Sequence, residues 1–581
     1  MKPATLRMFR LLRRLGLWRT YRSWRAIAMM LVFAAPMHAI AYDHVFSGGF
    51  EAVTDAPASD AEAARFLTMA TFGPTPAEIA HLRAVGYTQW FQQQLAMPTT
   101  VQRPYVENLD AGVPTPGQQH RLEAWFANAI TAPDQLRQRT AWALSQIMVV
   151  SDGLSHLGQD PIAIAEYNDV LARDSFGWYD ASGTFRGGIY AALLDDVTKS
   201  PAMAKMLTYL RNKKGDDALG TSPDENYARE VMQLFSIGLI ERNLDFSPLL
   251  DGHGDPIPTY DQSMVSSYAK VFTGWSYASG FNSNPVGANW SPADYQPLVC
   301  YENFHDESVK TLLDNEIAPG GPNSCEPDLD AGLAAIANHA NVAPFISRQL
   351  IERFTSSNPS PDYIERVASV FANDGAGHYG NLGAVVVAIL TDPEARYGAA
   401  PPPAPYVFGK AREPLLKLTA LWRYYGAAAI DSVYSFPNPQ RSYAQRPFGA
   451  PSVFNFYLPD YLPPGELADA GLFGPEFQIM NESTVVSVAN DMTSRVNDYV
   501  GNPDNDDTTI AIDLSALLGL ASTPSALVAQ LDHDLMYDGM SDAMASTLTD
   551  MVEALPSNNP TGRVTGALQV LLASPEFAIQ K

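Results

Sequence analysis

Apolar residues recur at three- and four-residue spacing through most of the chain from Ala61 onward, whereas strictly alternating runs are scarce. That periodicity predicts a mainly α fold: a large multi-helix assembly with long irregular loops and few or no strands. The most explicit element is predicted over 222–238. Ser222 is placed to cap it, Pro223 suits the first helical position and Glu225 completes a capping box. Tyr227, Val231, Leu234 and Phe235 form its apolar stripe, and Gly238 ends it. Thr75-Pro-Ala-Glu78 repeats this start logic ahead of Ile79, Leu82 and Val85, with Gly86 as the stop. Further helices are predicted over Leu136–Val150, from Thr259 and Gln262 to a stop at Gly274, and over 330–355 and 361–372.

Between these, 241–258, 278–330 and 432–475 are rich in Gly, Pro, Asn and Asp and read as long loops. Loops of that length are usually functional or packed over a surface. The proline-rich string 399–405 reads as a stiff linker. It separates a main helical lobe over 60–398, which contains the 222–238 helix, from a second helical lobe over 406–581. Residues 42–59 read as a flexible leader.

The N-terminus follows a different pattern. Lys2 through Arg25 carry eight basic residues and no acidic ones, Ala26–Ala35 is apolar, and Ala39-Ile-Ala41 fits a small-x-small cleavage site. Residues 1–41 are therefore expected to be a signal peptide. The apolar run is too short for a comfortable membrane span, so removal rather than stable insertion is expected, with the protein in the periplasm or outside the cell. Losing those eight charges takes the formal net charge from −25 to −33. An acidic surface of that size argues against nucleic acid and anionic membranes as partners. Apolar residues make up 46% of the chain, enough for a substantial core. Cys300 and Cys325 are the only cysteines. In an oxidising compartment they are expected to pair, contributing about 3 kcal/mol through loop closure. Two thiol metal ligands are the alternative, but neither a CxxC spacing nor a nearby His pair supports it.

Candidate chemistry comes from polar residues set against apolar stripes. Asn226, Glu230 and Gln233 fall together at the edge of the apolar face of the 222–238 helix, spaced i, i+4, i+7. Polar groups there must find partners or cost stability. Glu230 is thus the leading acid and Asn226 a substrate-binding candidate; a buried network tying the helix to its neighbours is the alternative. Glu225 and Arg229 read as an ordinary surface pair. His305 is a candidate general base, with Asp306 to orient it and Lys310 to bind an anionic group. The alternative is a loop-to-helix junction in which Asp306 caps and Lys310 is solvated. Trp275 is either a stacking platform for a sugar ring or a plug in the core. Arg348 and Arg412, with Arg353 and Glu413, offer a pocket for a carboxylate, sulfate or phosphate, or else pin helices together. His339 reads as a satisfied core histidine. No HExxH, GxSxG, Walker loop, GxGxxG, CxxCH or EF-hand loop occurs, so neither a metal nor a cofactor is expected.

Nine segments together resemble the large bacterial family catalogued as domain-of-unknown-function 1800. They are Ala64–Pro74, Leu136–Ser145, Glu225–Glu230, Phe272–Trp275, His305-Asp306 with Lys310, Asn341–Leu350, Arg412-Glu-Pro414, Ser452–Phe456 and Ser574–Phe577. The resemblance covers nearly the whole mature chain. It implies an exported protein, often encoded beside a second exported family related to sulfatases and phosphatases, and it implies no particular reaction. Many members carry Glu where this chain has Gln233, which weakens a paired-carboxylate reading here. The resulting expectation is an exported protein whose Glu230 and His305 line a shared polar cleft that binds or acts on an extracytoplasmic polymer or its fragments. The alternative is a non-catalytic helical scaffold for a sulfatase- or phosphatase-like exported partner.

Overall fold

The computed structural model describes residues 56–580 apart from 109–115, 155–156, 180–184, 287–288, 399–407, 430–431, 437 and 502–509. The expected signal peptide, most of the 42–59 leader and the 399–405 linker lie outside the described residues. Helices dominate, as predicted. The principal ones are α1 (Asp60–Ala70), α2 (Pro76–Ala96), α3 (Gln118–Thr131), α4 (Gln135–Ser145), α5 (Pro161–Phe176), α6 (Tyr190–Thr198), α7 (Asn226–Gln233) and α8 (Gln262–Val271). They continue with α9 (Cys325–Ala337), α10 (Val342–Phe354), α11 (Pro361–Ala372), α12 (Leu382–Thr391), α13 (Pro393–Tyr397) and α14 (Pro414–Tyr424). Among the described residues, the strands form only two-stranded antiparallel pairs. Three of these matter below: β1 (Trp275–Ser276) with β2 (Val299–Cys300), β3 (Lys310–Thr311) with β4 (Ile317–Ala318), and β5 (Lys410–Ala411) with β6 (Ile579–Gln580). No described helix is long and apolar enough to cross a membrane.

Local signals set helix ends where their partners are also local. The Thr75 hydroxyl accepts from the Glu78 N–H at 3.1 Å, and the Glu78 carboxylate accepts from the Thr75 N–H at 3.0 Å, completing the predicted capping box. The box predicted at Ser222 and Glu225 does not form, and α7 begins only at Asn226. Glu225 instead accepts from Ser266 Oγ at 2.7 Å and Gln262 Nε2 at 2.8 Å on α8, so tertiary donors displace the local cap. Likewise α8 is capped by Asp261, which accepts from the Met264 N–H at 3.0 Å. The Thr259 hydroxyl, expected at that start, donates to the Gly238 carbonyl at 2.6 Å. Gly238 does end the α7 segment: its φ is +70°, and a Cβ there would stand 2.6 Å from the Phe345 ring. The predicted 330–355 helix breaks into α9 and α10 around His339 and Asn341.

The core sits around α4, every residue of which is buried. Trp142 of α4 meets Trp125 at 5.2 Å, and Phe126 meets Trp422 at 5.7 Å, both edge-on. The described residues fall in one compact unit, and the chain on the two sides of 399–405 is interlocked. Arg423 of α14 donates to the Gly73 carbonyl at 2.6 Å and to the Glu78 carboxylate at 2.6 and 2.7 Å. Glu413, wholly buried, accepts from Trp142, Gln146 and Gln445 at 3.0, 2.9 and 2.6 Å.

Candidate functional site

His305 lies inside the protein rather than in a cleft, with no exposed side-chain surface. Its Nδ1 faces the Thr273 carbonyl at 2.9 Å and its Nε2 stands 3.0 Å from the Asp328 carboxylate. Lys310, 1% exposed on β3, pairs with the same carboxylate at 2.5 Å. Burial alone would raise the Asp328 carboxyl, but hydrogen bonds from Lys310, His305 and the Gly320 N–H hold it below its ordinary range. Asp328 therefore takes the orienting role expected of Asp306, whose carboxylate accepts from the Ser308 N–H at 2.9 Å. Lys310 is neither an anion binder nor solvated; it neutralises a buried acid. The Cys300–Cys325 disulfide, formed as expected with Cα atoms 6.3 Å apart, fixes the first residue of α9 three positions before Asp328. Gly274 closes the arrangement: its φ is +88°, and a Cβ there would stand 3.1 Å from the His305 Cβ.

The other expected residues are dispersed. Glu230 is half-buried, its Oε2 has no hydrogen-bond partner, and it lies within electrostatic reach of Tyr260, whose hydroxyl is also unpartnered. Burial raises its carboxyl, with Arg229 offsetting part of that. His305 has no exposed side-chain surface and meets Thr273, Lys310 and Asp328, none of which contacts Glu230 in the hydrogen bonds of the described residues. Glu230 and His305 do not share a cleft. Asn226 is exposed and donates to Thr208 Oγ1 at 3.3 Å. Trp275 is 2% exposed and packs in the interior, which rules out a stacking platform in this arrangement. Arg348 bonds Glu352 at 2.7 Å and lies over the Phe246 ring at 4.4 Å.

Arg412 of the expected set lines a pocket of about 370 Å³. Ser59 caps α1 by accepting from the Glu62 N–H, and Phe66, Leu67 and Ala70 anchor its apolar face. That leaves Glu62, Arg65 and Thr68, spaced by three, along the pocket. Arg396 and Tyr397 at the end of α13 form a second wall. Arg412, next to β5, and Glu576, close before β6, form a third, with Tyr537 at the rim. Arg396 pairs with Glu62 at 2.5 Å and stacks over Tyr87 at 3.9 Å. Its Nη1 nevertheless has no hydrogen-bond partner among the described residues. Arg412 lies over Phe577 at 5.2 Å and Tyr537 at 5.7 Å, and both its Nε and its Nη1 lack partners. Arg396 is 4% exposed and Arg412 8%. Lys417 adds to the positive field: burial, with the Arg412 charge second, pushes its amine down to about 8. Three guanidinium groups thus face two carboxylates in a chain of net charge −25.

Residues 65–579 match the family described as "Protein of unknown function (DUF1800)". The chain belongs to this family. No curated protein and no solved structure matches it. Three of the segments by which the DUF1800 resemblance was read converge on the pocket: Ala64–Pro74 brings Arg65 and Thr68, Arg412-Glu-Pro414 brings Arg412, and Ser574–Phe577 brings Glu576. Glu62, Arg396 and Tyr537 were not singled out from the sequence. Arg396, one residue from the end of a five-residue helix, carries no local mark of its role.

Proposed function

We propose that this DUF1800 protein is exported and binds an anionic group, carboxylate, sulfate or phosphate, borne by an extracytoplasmic polymer or its fragments. One observation carries the reading: the unpartnered Nη1 of Arg396 and Nε and Nη1 of Arg412, each side chain more than nine-tenths buried in the pocket wall. Buried guanidinium N–H groups without acceptors are costly, and a bidentate oxyanion is their natural complement. In a chain of net charge −25 the three arginines make this patch a local excess of positive charge, while Tyr397, 63% exposed, offers a ring face to the rest of a ligand. The signal-like N-terminus supports export. The test is calorimetric titration of the mature protein with sulfate, phosphate and oligogalacturonate. At least one should bind, and Arg412→Gln should weaken it about tenfold or more, the worth of one charge-assisted hydrogen bond. Equal affinity in wild type and in folded Arg396→Gln and Arg412→Gln variants would end the reading.

The accessory-protein reading draws support from a different feature. The predicted loop 241–258 folds back on itself in three passes, with Glu241 bonded to Ile257 and Leu249, and is rooted on Asn341. It leaves Leu239 and Leu250 55% and 54% exposed, an apolar edge suited to a protein partner.

A further inference from the structure

Two arginines meet in the interior where α4 packs on α10. Arg139 of α4 is 1% exposed and Arg353 of α10 7%. Their hydrogen bonds go to backbone carbonyls. Arg139 Nη2 donates to Arg353 at 2.5 Å, and Arg353 donates through Nη1 to Gln349 at 2.9 Å and through Nη2 to Gln146 at 3.2 Å. Three further N–H groups, Arg139 Nε and Nη1 and Arg353 Nε, have no partner among the described residues. The acids close by are engaged with other groups. Glu352 pairs with Arg348 at 2.7 Å, and Glu476 pairs with Lys410 at 2.9 Å. Glu413 Oε2 accepts from Trp142, Gln146 and Gln445, while its Oε1 also lacks a partner. Gln146 joins these groups into one buried network. Its carbonyl accepts from Arg353, its Nε2 donates to Glu413 at 2.9 Å, and its Oε1 accepts from Asn455 at 3.1 Å and Tyr457 at 3.0 Å.

The charges in this network do not cancel. Lys410 and Glu476 neutralise each other, which leaves two guanidinium groups against the single carboxylate of Glu413. An arginine keeps its proton inside a protein, so it cannot escape burial by becoming neutral. A surplus of buried charge is costly until a counter-ion answers it. We propose that Arg139 and Arg353 together bind a monovalent anion of halide size. One negative charge equals the surplus, and a close-packed interior admits a small ion rather than a sulfate or a sugar acid. The free N–H groups of the two guanidinium ions supply charge-assisted donors to it. The ion braces α4 against α10, a structural role distinct from the anion pocket around Arg412.

The test uses the purified mature chain. Crystals soaked in sodium bromide should show an anomalous peak at hydrogen-bond distance from the Arg139 and Arg353 guanidinium groups. In solution, replacing sodium gluconate by sodium chloride at equal ionic strength should raise the melting temperature by several degrees. Arg139→Met should abolish that rise, and Arg412→Gln, which removes a charge from the pocket instead, should keep it. The bromide map of the wild type decides even where Arg139→Met folds poorly. Water at the two arginines, with no bromide, overturns the proposal. So does an equal chloride-dependent rise in a folded Arg139→Met protein, or loss of the rise in Arg412→Gln alone, which would place the ion elsewhere.

Discussion

Two charged regions of this protein look alike in composition and differ in bookkeeping. Around Asp328, one acid meets one lysine and one histidine, all buried and all hydrogen-bonded to each other or to backbone. Around Arg412 and Arg396, buried guanidinium groups keep N–H donors that no described residue accepts from. The first arrangement is closed: its charges are neutralised within the fold, and a disulfide and a close-packed glycine lock it. The second lines a pocket and retains an excess of one sign. Histidine with a neighbouring acid suggests catalysis on paper, yet here that pair holds the interior together. Residues less eye-catching in sequence form the surface that can still take a partner.

The contrast predicts opposite responses to mutation. Asp328→Ala leaves Lys310 and His305 buried without their anion and should cost about 3–5 kcal/mol, the usual penalty for breaking a buried pair. Urea denaturation of the variant checks this. A loss under about 1 kcal/mol would mean the cluster is solvated and the comparison fails. Lys417→Met should act the other way. An amine held down to about 8 contributes stability above its unfolded value near 10.4 and loses it as pH falls through 8. Removing it should therefore gain up to about 3 kcal/mol at pH 7 and little at pH 11, measured by denaturation at the two pH values. No gain at pH 7 would indicate that the amine finds a partner in solution. The smallest effect is expected at Glu230. Its raised carboxyl stabilises the fold below the ordinary range near pH 4 and loses that contribution as pH rises through its elevated value. Glu230→Gln should flatten the stability profile above pH 5 and give a modest gain at pH 7. A loss at pH 7 would show that the carboxylate has a partner and belongs with the closed kind.

Helical content, family membership, the Thr75–Glu78 cap and the Cys300–Cys325 pairing were all legible in the sequence, because each depends on periodicity, on neighbours within a few positions or on residue type. The local reading failed wherever a distant group offered a better bond. Glu225 left its cap for Ser266 and Gln262, 41 and 37 residues on, and His305 took Asp328 in place of adjacent Asp306. Only the tertiary structure could assemble the pocket, since its walls come from α1, α13, β5 and the last residues of the chain. Periodicity states which face of a helix is buried, but whether a buried charge is answered depends on what the rest of the chain brings against it.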